Sequence, residues 1–289
     1  MQVDLLAGTA YAALAMPQRQ PTILVFDSGL GGLTVLDATV RACPGARIVY
    51  AADDAGFPYG RLGEGELVAR VLAVMERLVA RSHPDLVVIA CNTASTLVLP
   101  ALRARFAIPF VGTVPAIKPA AELTKTGQIT VLATPGTVAR DYTRGLIETY
   151  AGGCTVTLVG STALAGLAEA ALKGEPVADE AILAEIAPCF VEAAGARTDV
   201  VTLSCTHYPL LVERMKRLAP WHVGWIDPAP AIARRVVGLL GPTATAPAVS
   251  AGDALALFTD GSGLTGPLRI ALAGYGLADI AIEPMPLVN

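Results

Sequence analysis

The sequence predicts an α/β protein made of two similar lobes, each with a mostly parallel sheet flanked by helices. Three observations support this fold class. Short β-branched runs alternate with Ala/Leu/Arg-rich stretches, a pattern typical of parallel sheets covered by helices. The chain has 289 residues, of which 53% are hydrophobic and 16% charged, so it can bury a large core. Two segments of the first half also have counterparts, in the same order, in the second half.

The individual elements follow from residue type and spacing. Short apolar runs rich in β-branched residues are predicted strands, and longer stretches with helical apolar spacing are predicted helices. The strands are Ile23–Phe26, Arg47–Ala51, Leu86–Ala90, Phe110–Gly112, Ile129–Ala133, Thr155–Val159, Val200–Leu203 and Gly224–Ile226. The helices are Gly65–Ser82, Leu97–Phe106, Ala178–Ala194 and Leu210–Leu218. A tail beyond Gly241, with a strand at Ala254–Thr259, is expected to be peripheral.

An internal repeat of two segments indicates two related lobes. The segment Asp85–Cys91 (DLVVIAC) corresponds to Asp199–Cys205 (DVVTLSC), with an acidic residue before a buried strand and a cysteine after it. Upstream, Ile23–Gly29 corresponds to Ile129–Gly136, each a strand followed by hydroxyl and glycine residues. Chance similarity between apolar strands is the alternative explanation.

Proline-rich segments mark the boundaries between the lobes. Pro115–Pro119 breaks the alternating pattern, and the chain is expected to return to the first lobe near Asp227. The first lobe is therefore predicted to comprise residues 22–114 and 227–289, and the second residues 115–226. Residues 1–21 are an N-terminal extension. Its apolar stretch follows Asp4 and has no Lys or Arg at its start, which argues against a secretion signal.

Composition and charge exclude several functions. The net charge is −4 and there is no basic cluster, so nucleic-acid binding is not expected as the main role. No run of about 18 apolar residues is free of polar breaks, so no membrane span is expected. The five cysteines are odd in number and lack CxxC spacing, which favours the reducing cytoplasm. The three histidines are scattered and no lysine lies in a Schiff-base motif, so neither metal nor cofactor is expected.

Cys91 is the first candidate for chemistry. It closes a buried strand and precedes Asn92 and Thr93, which favour the start of a helix. A helix N-terminus stabilises a thiolate, so the pKa of this thiol is expected to be lowered. The alternative is that Cys91 is a small buried apolar residue, the usual role of free cysteine.

Cys205 is the second candidate, and His207 follows it closely. One interpretation is a Cys/His hydrolase, and another is a structural histidine. The equivalent place of Cys91 in the other lobe favours a third interpretation. Two thiols on opposite sides of one ligand suit removal of a proton from one face of a carbon atom and its delivery to the other.

Other polar groups are expected near these cysteines, because ligands of open α/β sheets lie beyond the carboxyl ends of the strands. Asp27 is either a helper carboxylate or a helix cap, and Glu169 is either a helper or a helix-surface residue. The glycine-rich loop after Asp27 lacks the pattern of a nucleotide loop, but its N–H groups are candidates for binding a carboxylate. The turn Phe57–Gly60 is a candidate for ligand contacts through its backbone and its phenol.

Four motifs occur in order at specific spacings. They are FDSGLGGLTV at Phe26–Val35, PYG at Pro58–Gly60, ACNTAS at Ala90–Ser95 and CTHYPLL at Cys205–Leu211. Together they resemble the glutamate racemases of the aspartate/glutamate racemase superfamily, and the resemblance extends from about Ile23 to Gly241. It departs from the family pattern at Ser204, where glycine is usual, and at Arg140, where a small polar residue is commoner.

The resemblance implies two α/β domains around a pseudo-twofold cleft, and cofactor-independent interconversion of L- and D-glutamate that supplies D-glutamate for peptidoglycan. It implies that Cys91 and Cys205 are the catalytic thiols, assisted by Asp27, His207 and Glu169. In the family's pattern, Cys91 deprotonates D-glutamate and Cys205 deprotonates L-glutamate. The implied substrate-contacting residues are Asp27, Ser28, Pro58, Tyr59, Gly60, Asn92, Thr93, Thr206 and His207. We add Thr134 and Thr137 as candidates for binding the side-chain carboxylate of the substrate.

Three other functions remain open at this stage. The nearest is racemisation of aspartate or another acidic amino acid. A Cys/His hydrolase would need only one of the two cysteines, and a non-enzymatic binding protein would need neither. The expected partner is a small molecule, and the sequence leaves open whether the chain forms a homodimer.

Overall fold

A computed structural model describes residues 19–193, 195–247 and 254–285. Most of the predicted N-terminal extension, residues 1–18, and the last residue of the predicted helix Ala178–Ala194 lie outside the described residues. Within the described part, no helix is long and apolar enough to cross a membrane.

Strands and helices alternate along the chain, which confirms the predicted α/β class. The strands are β1 (Thr22–Asp27), β2 (Arg47–Ala52), β3 (Leu86–Ile89), β4 (Phe110–Gly112), β5 (Gln128–Ala133), β6 (Thr155–Gly160), β7 (Glu192–Ala193), β8 (Ala196–Arg197), β9 (Val200–Ser204), β10 (Gly224–Ile226), β11 (Leu255–Phe258) and β12 (Asp279–Ile282).

The helices cover the faces of the sheets. They are α1 (Leu33–Ala42), α2 (Glu64–Ser82), α3 (Asn92–Arg105), α4 (Ile117–Leu123), α5 (Pro135–Val138), α6 (Asp141–Tyr150), α7 (Leu164–Leu172), α8 (Asp179–Ile186), α9 (Val212–Leu218), α10 (Ala229–Leu240), α11 (Pro242–Thr245) and α12 (Gly266–Gly274).

Two parallel sheets organise the described residues. The first has the strand order β12-β11-β2-β1-β3-β4, and the second has the order β10-β9-β5-β6. The segment β2-β1-β3-β4 of the first sheet has the same connectivity as β6-β5-β9-β10 of the second. The internal repeat pairs β1 with β5 and β3 with β9. These paired strands therefore occupy equivalent central positions in the two sheets.

The core lies on both faces of each sheet. Along β1, Ile23 and Val25 pack into one apolar cluster while Leu24 and Phe26 pack into another on the opposite face, because successive strand residues point to opposite sides. This two-sided burial explains why the central strands are apolar along their whole length instead of alternating with polar residues.

Two helix predictions were wrong at their ends. The helix predicted for Ala178–Ala194 ends at Ile186, and a 3-10 turn, Ala187–Cys189, follows it. Pro188 lies in that turn and cannot donate the backbone hydrogen bond that would continue the helix. The short antiparallel strands β7 and β8 come next. Helix α3 begins at Asn92, five residues before the predicted start at Leu97.

Two further predictions needed correction. Pro209 likewise explains why Tyr208–Leu211 forms a 3-10 turn, so that α9 begins at Val212 and not at Leu210. The C-terminal tail is not peripheral, because β11 lies between β2 and β12. Ala256 and Phe258 of β11 are buried in the core of the first sheet.

Candidate active site

The carboxyl ends of β1, β3, β5 and β9 converge on a small cavity of about 30 Å³ between the two sheets. Both candidate cysteines line it. So do most of the other predicted ligand contacts, together with Phe57, the first residue of the predicted turn Phe57–Gly60, and Ala165, which was not predicted. The predicted residues in the lining are Ser28, Pro58, Tyr59, Gly60, Cys91, Asn92, Thr93, Thr134, Cys205, Thr206 and His207.

Cys91 caps the N-terminus of α3, as its position after β3 predicted. Its Sγ lies 3.6 Å from the Oγ of Ser28. The expected lowering of its pKa was wrong. Burial of the thiol and the nearby charge of Asp27 together raise the pKa of Cys91 well above its usual value. In the closed cavity Cys91 is therefore a thiol, ready to donate a proton.

Asp27 is fully buried behind the cavity lining. Its Oδ2 accepts hydrogen bonds from the N–H groups of Gly29, at 3.3 Å, and Gly32, at 2.9 Å. Burial raises the pKa of Asp27, although His207 opposes this shift. Its Oδ1 has no hydrogen-bond partner among the described residues.

The glycine-rich loop of the first lobe packs directly against the second lobe. A Cβ atom at Gly29 would lie 2.2 Å from Oε1 of Glu169, and one at Gly31 would lie 2.4 Å from Nδ1 of His207. Only glycine permits this approach. The N–H groups of Leu30 and Gly31 donate to Glu169 and His207, so the expectation that this loop binds a ligand carboxylate was wrong for these two donors.

A line of polar contacts leads away from Cys205. Its Sγ lies 3.8 Å from Nδ1 of His207, and Nε2 of His207 lies 3.1 Å from Oε1 of Glu169. Oε2 of Glu169 lies 3.1 Å from Nζ of Lys173. The structure thus brings Glu169, which is buried on α7, into contact with His207 behind the cavity wall.

These contacts govern the charges of His207 and Glu169. Burial alone would lower the pKa of His207, but hydrogen bonds to Cys205 and Glu169 raise it well above its usual value. Burial alone would raise the pKa of Glu169, but His207, the N–H of Leu30 and the Lys173 ammonium lower it. Glu169 is therefore a carboxylate, and His207 is a strong proton acceptor beside the Cys205 thiol.

Hydroxyl groups connect the lobes on the opposite side of the cavity. Oγ1 of Thr93 lies 3.0 Å from Oγ1 of Thr134, which lies 3.0 Å from Oγ1 of Thr137. Thr137 is buried behind Thr134 and does not line the cavity. An ion pair between Glu64, at the start of α2, and Arg140, before α6, also bridges the lobes.

Asn92 has an unusual environment for an internal amide. The residue is buried, and neither atom of its amide group has a partner among the described residues. Buried polar groups are normally hydrogen-bonded, and an unpaired one costs about 1–3 kcal/mol. An amide at the start of α3, beside Cys91 in the cavity lining, is therefore a strong candidate for binding a ligand.

Tyr59 lines the cavity with its ring while its hydroxyl points elsewhere. The hydroxyl donates to Oδ2 of the buried Asp53, at 2.6 Å. Asp53 also accepts from Nε of Arg70, at 2.9 Å, and from Oγ1 of Thr259, at 2.8 Å. The predicted phenol contact to a ligand is thus replaced by one to Asp53.

Sequence reasoning missed two supporting residues, Asp53 and Lys173. Asp53 directly follows β2, at the same edge of the sheet as Asp27, so the rule for ligand positions in open sheets pointed to it. Lys173 lies four residues after Glu169, the spacing at which helical side chains of opposite charge meet. Among the described residues, no group of three or more His, Cys, Asp or Glu side chains is placed to hold a metal ion.

Two curated relatives of this chain are glutamate racemases. The chain is 51% identical over 272 residues to the glutamate racemase of Brucella canis, covering 94% of this chain and 98% of the relative. It is 54% identical over 260 residues to the glutamate racemase of Rhizobium meliloti, covering 90% of this chain and 93% of the relative.

The fold also matches a solved structure. This is Escherichia coli glutamate racemase in complex with L-glutamate and the activator UDP-MurNAc-ala, with a TM-score of 0.84, 41% identity and coverage of 92% of this chain and 98% of that chain. The model of the Asp/Glu/Hydantoin racemase family matches residues 23–236. Sequence, fold and paired thiols agree, and this chain belongs to the Asp/Glu/Hydantoin racemase family.

Proposed function

We propose that this protein is a glutamate racemase that interconverts L- and D-glutamate without a cofactor. The observation that supports this most strongly is that Cys91 and Cys205 line one cavity from equivalent strands of two related sheets. The substrate assignment is supported by the glutamate racemases that this chain resembles at 51% and 54% identity. The structural neighbour that binds L-glutamate supports it further.

The reaction begins on the Cys205 side when L-glutamate is the substrate. The thiol of Cys205 passes its proton to Nδ1 of His207, which leaves a thiolate and an imidazolium. The thiolate then removes the α-proton from one face of the substrate. Nδ1 lies 3.8 Å from Sγ, so a small movement on substrate binding brings the two atoms into a shorter hydrogen bond.

Cys91 completes the inversion. Its thiol donates a proton to the opposite face of the carbanion, so D-glutamate forms and Cys91 becomes a thiolate. The reverse reaction uses the thiols in exchanged roles, and the assignment of each thiol to one enantiomer follows the family resemblance. Because one thiol must be charged while the other is neutral, the rate is expected to have a bell-shaped pH dependence.

The developing carbanion needs donors near the substrate carboxylate. The amide of Asn92 and the hydroxyls of Ser28, Thr93 and Thr206 surround the cavity and are placed to provide them. Thr134 remains a candidate for the side-chain carboxylate of the substrate, and Thr137 supports it through the hydroxyl contact.

The cavity must widen before glutamate enters. A volume of about 30 Å³ corresponds to roughly one water molecule. Glutamate is several times larger, so the closed arrangement described here opens and recloses during turnover, as is common for enzymes that exclude water from the reaction.

The proposal extends to cellular role and assembly. D-glutamate made by this enzyme would enter peptidoglycan synthesis. All five cysteines are free, which fits a reducing compartment such as the cytoplasm. A homodimer is part of the proposal, and light scattering on the purified protein measures whether one forms.

Proton exchange in deuterated water tests the proposed reaction. The wild-type protein should incorporate deuterium at the α-carbon of both L- and D-glutamate while it racemises them. Cys91→Ser should lose racemisation but still exchange the α-proton of L-glutamate, because Cys205 remains. Cys205→Ser should show the reverse pattern.

Three outcomes separate the alternatives. The proposal fails if wild-type protein incorporates no α-deuterium or if either variant racemises at the wild-type rate. Faster racemisation of aspartate than of glutamate would show that aspartate is the preferred substrate. An acyl-enzyme on one cysteine, with the other dispensable, would indicate a hydrolase.

A further inference from the structure

We propose that Lys173 is a positioning residue for the half-reaction at Cys205, acting through Glu169 to select the ring nitrogen of His207 that faces the thiol. This inference rests on the proposed function. The supporting observation is an unbroken series of contacts, from Sγ of Cys205 through His207 and Glu169 to Nζ of Lys173. Lys173 itself does not line the cavity.

Glu169 needs a positive partner to remain ionised. Its side chain is only 7% exposed, and an isolated carboxylate is costly in such a place. Its Oε1 accepts from the N–H of Leu30, at 2.9 Å, and contacts Nε2 of His207. Lys173, with a side chain 26% exposed, supplies a full positive charge 3.1 Å from the other oxygen.

The charge of Glu169 decides the tautomer of His207. A carboxylate at Oε1 accepts a hydrogen bond from Nε2–H, which leaves the lone pair of Nδ1 facing Sγ of Cys205. That lone pair is what takes the thiol proton. If Glu169 were protonated, its hydroxyl would donate to Nε2, and the ring proton would move to Nδ1. Such a ring could not accept a proton from Cys205.

A competing donor makes this selection necessary. The N–H of Gly31 also points at Nε2 of His207, at 3.1 Å, and favours the tautomer with a bare Nε2. Two groups thus favour opposite tautomers at the same nitrogen atom. The ion pair with Lys173 keeps Glu169 ionised and holds Oε1 against Nε2. A charged acceptor in that place makes a stronger hydrogen bond than the neutral N–H of Gly31.

The C-terminal tail holds Lys173 in place. Lys173 follows α7, where its own N–H donates to the carbonyl of Glu169. Its carbonyl accepts from Oγ1 of Thr265, at 3.4 Å, and its ammonium packs over Gly263. The loop before α12 therefore supports the Cys205 side of the site from outside the cavity.

Other charged and titratable groups also face the Glu169–His207 pair, so the pH dependence must be assigned by comparing variants. Asp27 comes from the end of β1, Tyr50 from β2 and Cys205 from the end of β9, and each contributes to the electrostatics of the pair. Lys173 can be changed without altering any of them. The informative comparison is between Lys173→Met, which removes the charge, and Lys173→Arg, which keeps it.

The pH profile of kcat/KM provides the first measurement. The ascending limb reports the base that acts on Cys205. Lys173→Met removes a positive charge beside Glu169 and should raise the pKa of Glu169 and of His207, which it contacts, so the limb moves to higher pH. The ascending limb should move up by about one pH unit, the usual effect of one nearby opposite charge. In the acid range kcat/KM should then fall about tenfold, while Lys173→Arg should restore the wild-type limb. Lys216→Met, which removes an exposed lysine paired with Glu213 on α9, is the matched control and should leave the limb unchanged.

Nitrogen NMR of histidine-labelled protein provides a measurement that does not depend on activity. Spectra are recorded at a pH above the raised pKa of His207, where the ring is neutral. There the wild type should show a protonated Nε2 and a bare Nδ1, and Lys173→Met should shift the population toward protonated Nδ1. The inference is overturned if folded Lys173→Met leaves both the limb and the tautomer unchanged, or if Lys173→Arg behaves like Lys173→Met. If wild type does not racemise glutamate, the proposed function fails while the NMR measurement still decides the role of Lys173.

Discussion

The two thiol sites have the same backbone framework but different chemical surroundings. Each cysteine follows a central parallel strand, β3 or β9, that begins after an aspartate. Asp85 accepts a hydrogen bond from the N–H of Thr22, and Asp199 accepts from the N–H of Lys125. Each carboxylate therefore holds the backbone at or shortly before the start of the neighbouring central strand, β1 or β5. The similarity ends at the carboxyl ends of the strands.

Beyond the strands, the partners of the two thiols diverge. Cys91 begins a long helix, α3, and its polar neighbour is the hydroxyl of Ser28. Cys205 precedes a short 3-10 turn and contacts His207, which is joined to Glu169. The buried carboxylate Asp27, at the end of β1, has Ala133 at the equivalent position of β5.

This difference has a functional meaning. Inversion at carbon requires one thiol that is protonated and another that can lose its proton before the substrate reacts. Burial beside Asp27 keeps Cys91 protonated, while His207 offers Cys205 a base. A symmetric framework thus carries unequal chemistry, and three experiments test how unequal it is.

Removing the base of Cys205 should have the largest effect. His207→Asn should lower kcat/KM by about 10²-fold to 10⁴-fold, the usual contribution of a general base. Ser28→Ala, which removes the polar neighbour of Cys91, should lower it only about fivefold, the worth of one neutral hydrogen bond. The equilibrium constant of racemisation is unity, so kcat/KM is equal for both enantiomers and cannot show which thiol is impaired. Primary deuterium isotope effects on each enantiomer identify the slowed proton transfer.

The two variants should raise the isotope effects of opposite enantiomers. His207→Asn should raise the effect seen with α-deuterated L-glutamate, and Ser28→Ala the effect seen with the D-enantiomer. His222→Asn, at an exposed position, controls for loss of a histidine. Equal losses in His207→Asn and Ser28→Ala would contradict the comparison.

Neutralising the carboxylate on the Cys91 side should separate stability from activity. The pKa of Asp27 is raised from its ordinary value of 3.8, so ionisation of this group destabilises the folded protein as pH rises through and above that value. Asp27→Asn should therefore raise the melting temperature at pH 7 by about 2–4 °C, and the gap should close on acidification. Activity should fall about tenfold, because the electrostatics around Cys91 change.

Asp199→Asn is the control, and its effect on the melting temperature should have the opposite sign. The pKa of Asp199 is lowered because hydrogen bonds from Thr124, Lys125 and Thr126 outweigh the effect of burial. Its ionisation stabilises the fold at neutral pH and this contribution is lost as pH falls. Asp199→Asn should therefore lower the melting temperature at pH 7. A lower melting temperature in Asp27→Asn as well would show that its hydrogen bonds from the glycine loop outweigh its burial.

The bridge between Glu64 and Arg140 should have the smallest effect. It joins the lobes near Thr134, where it is partly exposed, whereas the bridge from the glycine loop to His207 and Glu169 is buried. Glu64→Gln should raise KM about twofold to threefold and weaken the dependence of KM on salt concentration, as expected for an exposed ion pair. Steady-state kinetics at low and high NaCl measure this, with Asp37→Asn, which breaks an ion pair within α1, as the control. A KM increase above tenfold would show that this side of the cleft matters as much as the glycine loop.

Much of the framework could be predicted from local sequence. Strands such as Phe110–Gly112 and Gly224–Ile226 coincide with their predictions, because short runs that contain aromatic and β-branched residues favour strands. Two of the errors in helix bounds occurred where a single proline ended a regular pattern, at Pro188 and Pro209. The tail was misjudged because its strand pairs with β2, some two hundred residues away in the chain, and no local pattern reports such pairing.

The site was predicted less evenly. The residues directly after central strands were identifiable, since strand ends can be located from sequence and ligands lie beyond them. Glu169 could not be assigned in this way, because it lies within the Ala-rich helix α7 and looks like an ordinary surface residue. Only the packing of α7 against the 3-10 turn that follows His207 buries it beside that histidine.

The sequence by itself determined the α/β class, the internal repeat and the pair of cysteines, because strand periodicity and motif spacing are local properties of the chain. The tertiary structure decided the protonation of the groups around those cysteines. It raised the pKa of Cys91 where the helix start alone predicted a lowered one, and it joined His207 to Glu169 and Lys173. A pKa depends on burial and on every nearby charge, and these are set only when distant segments pack together.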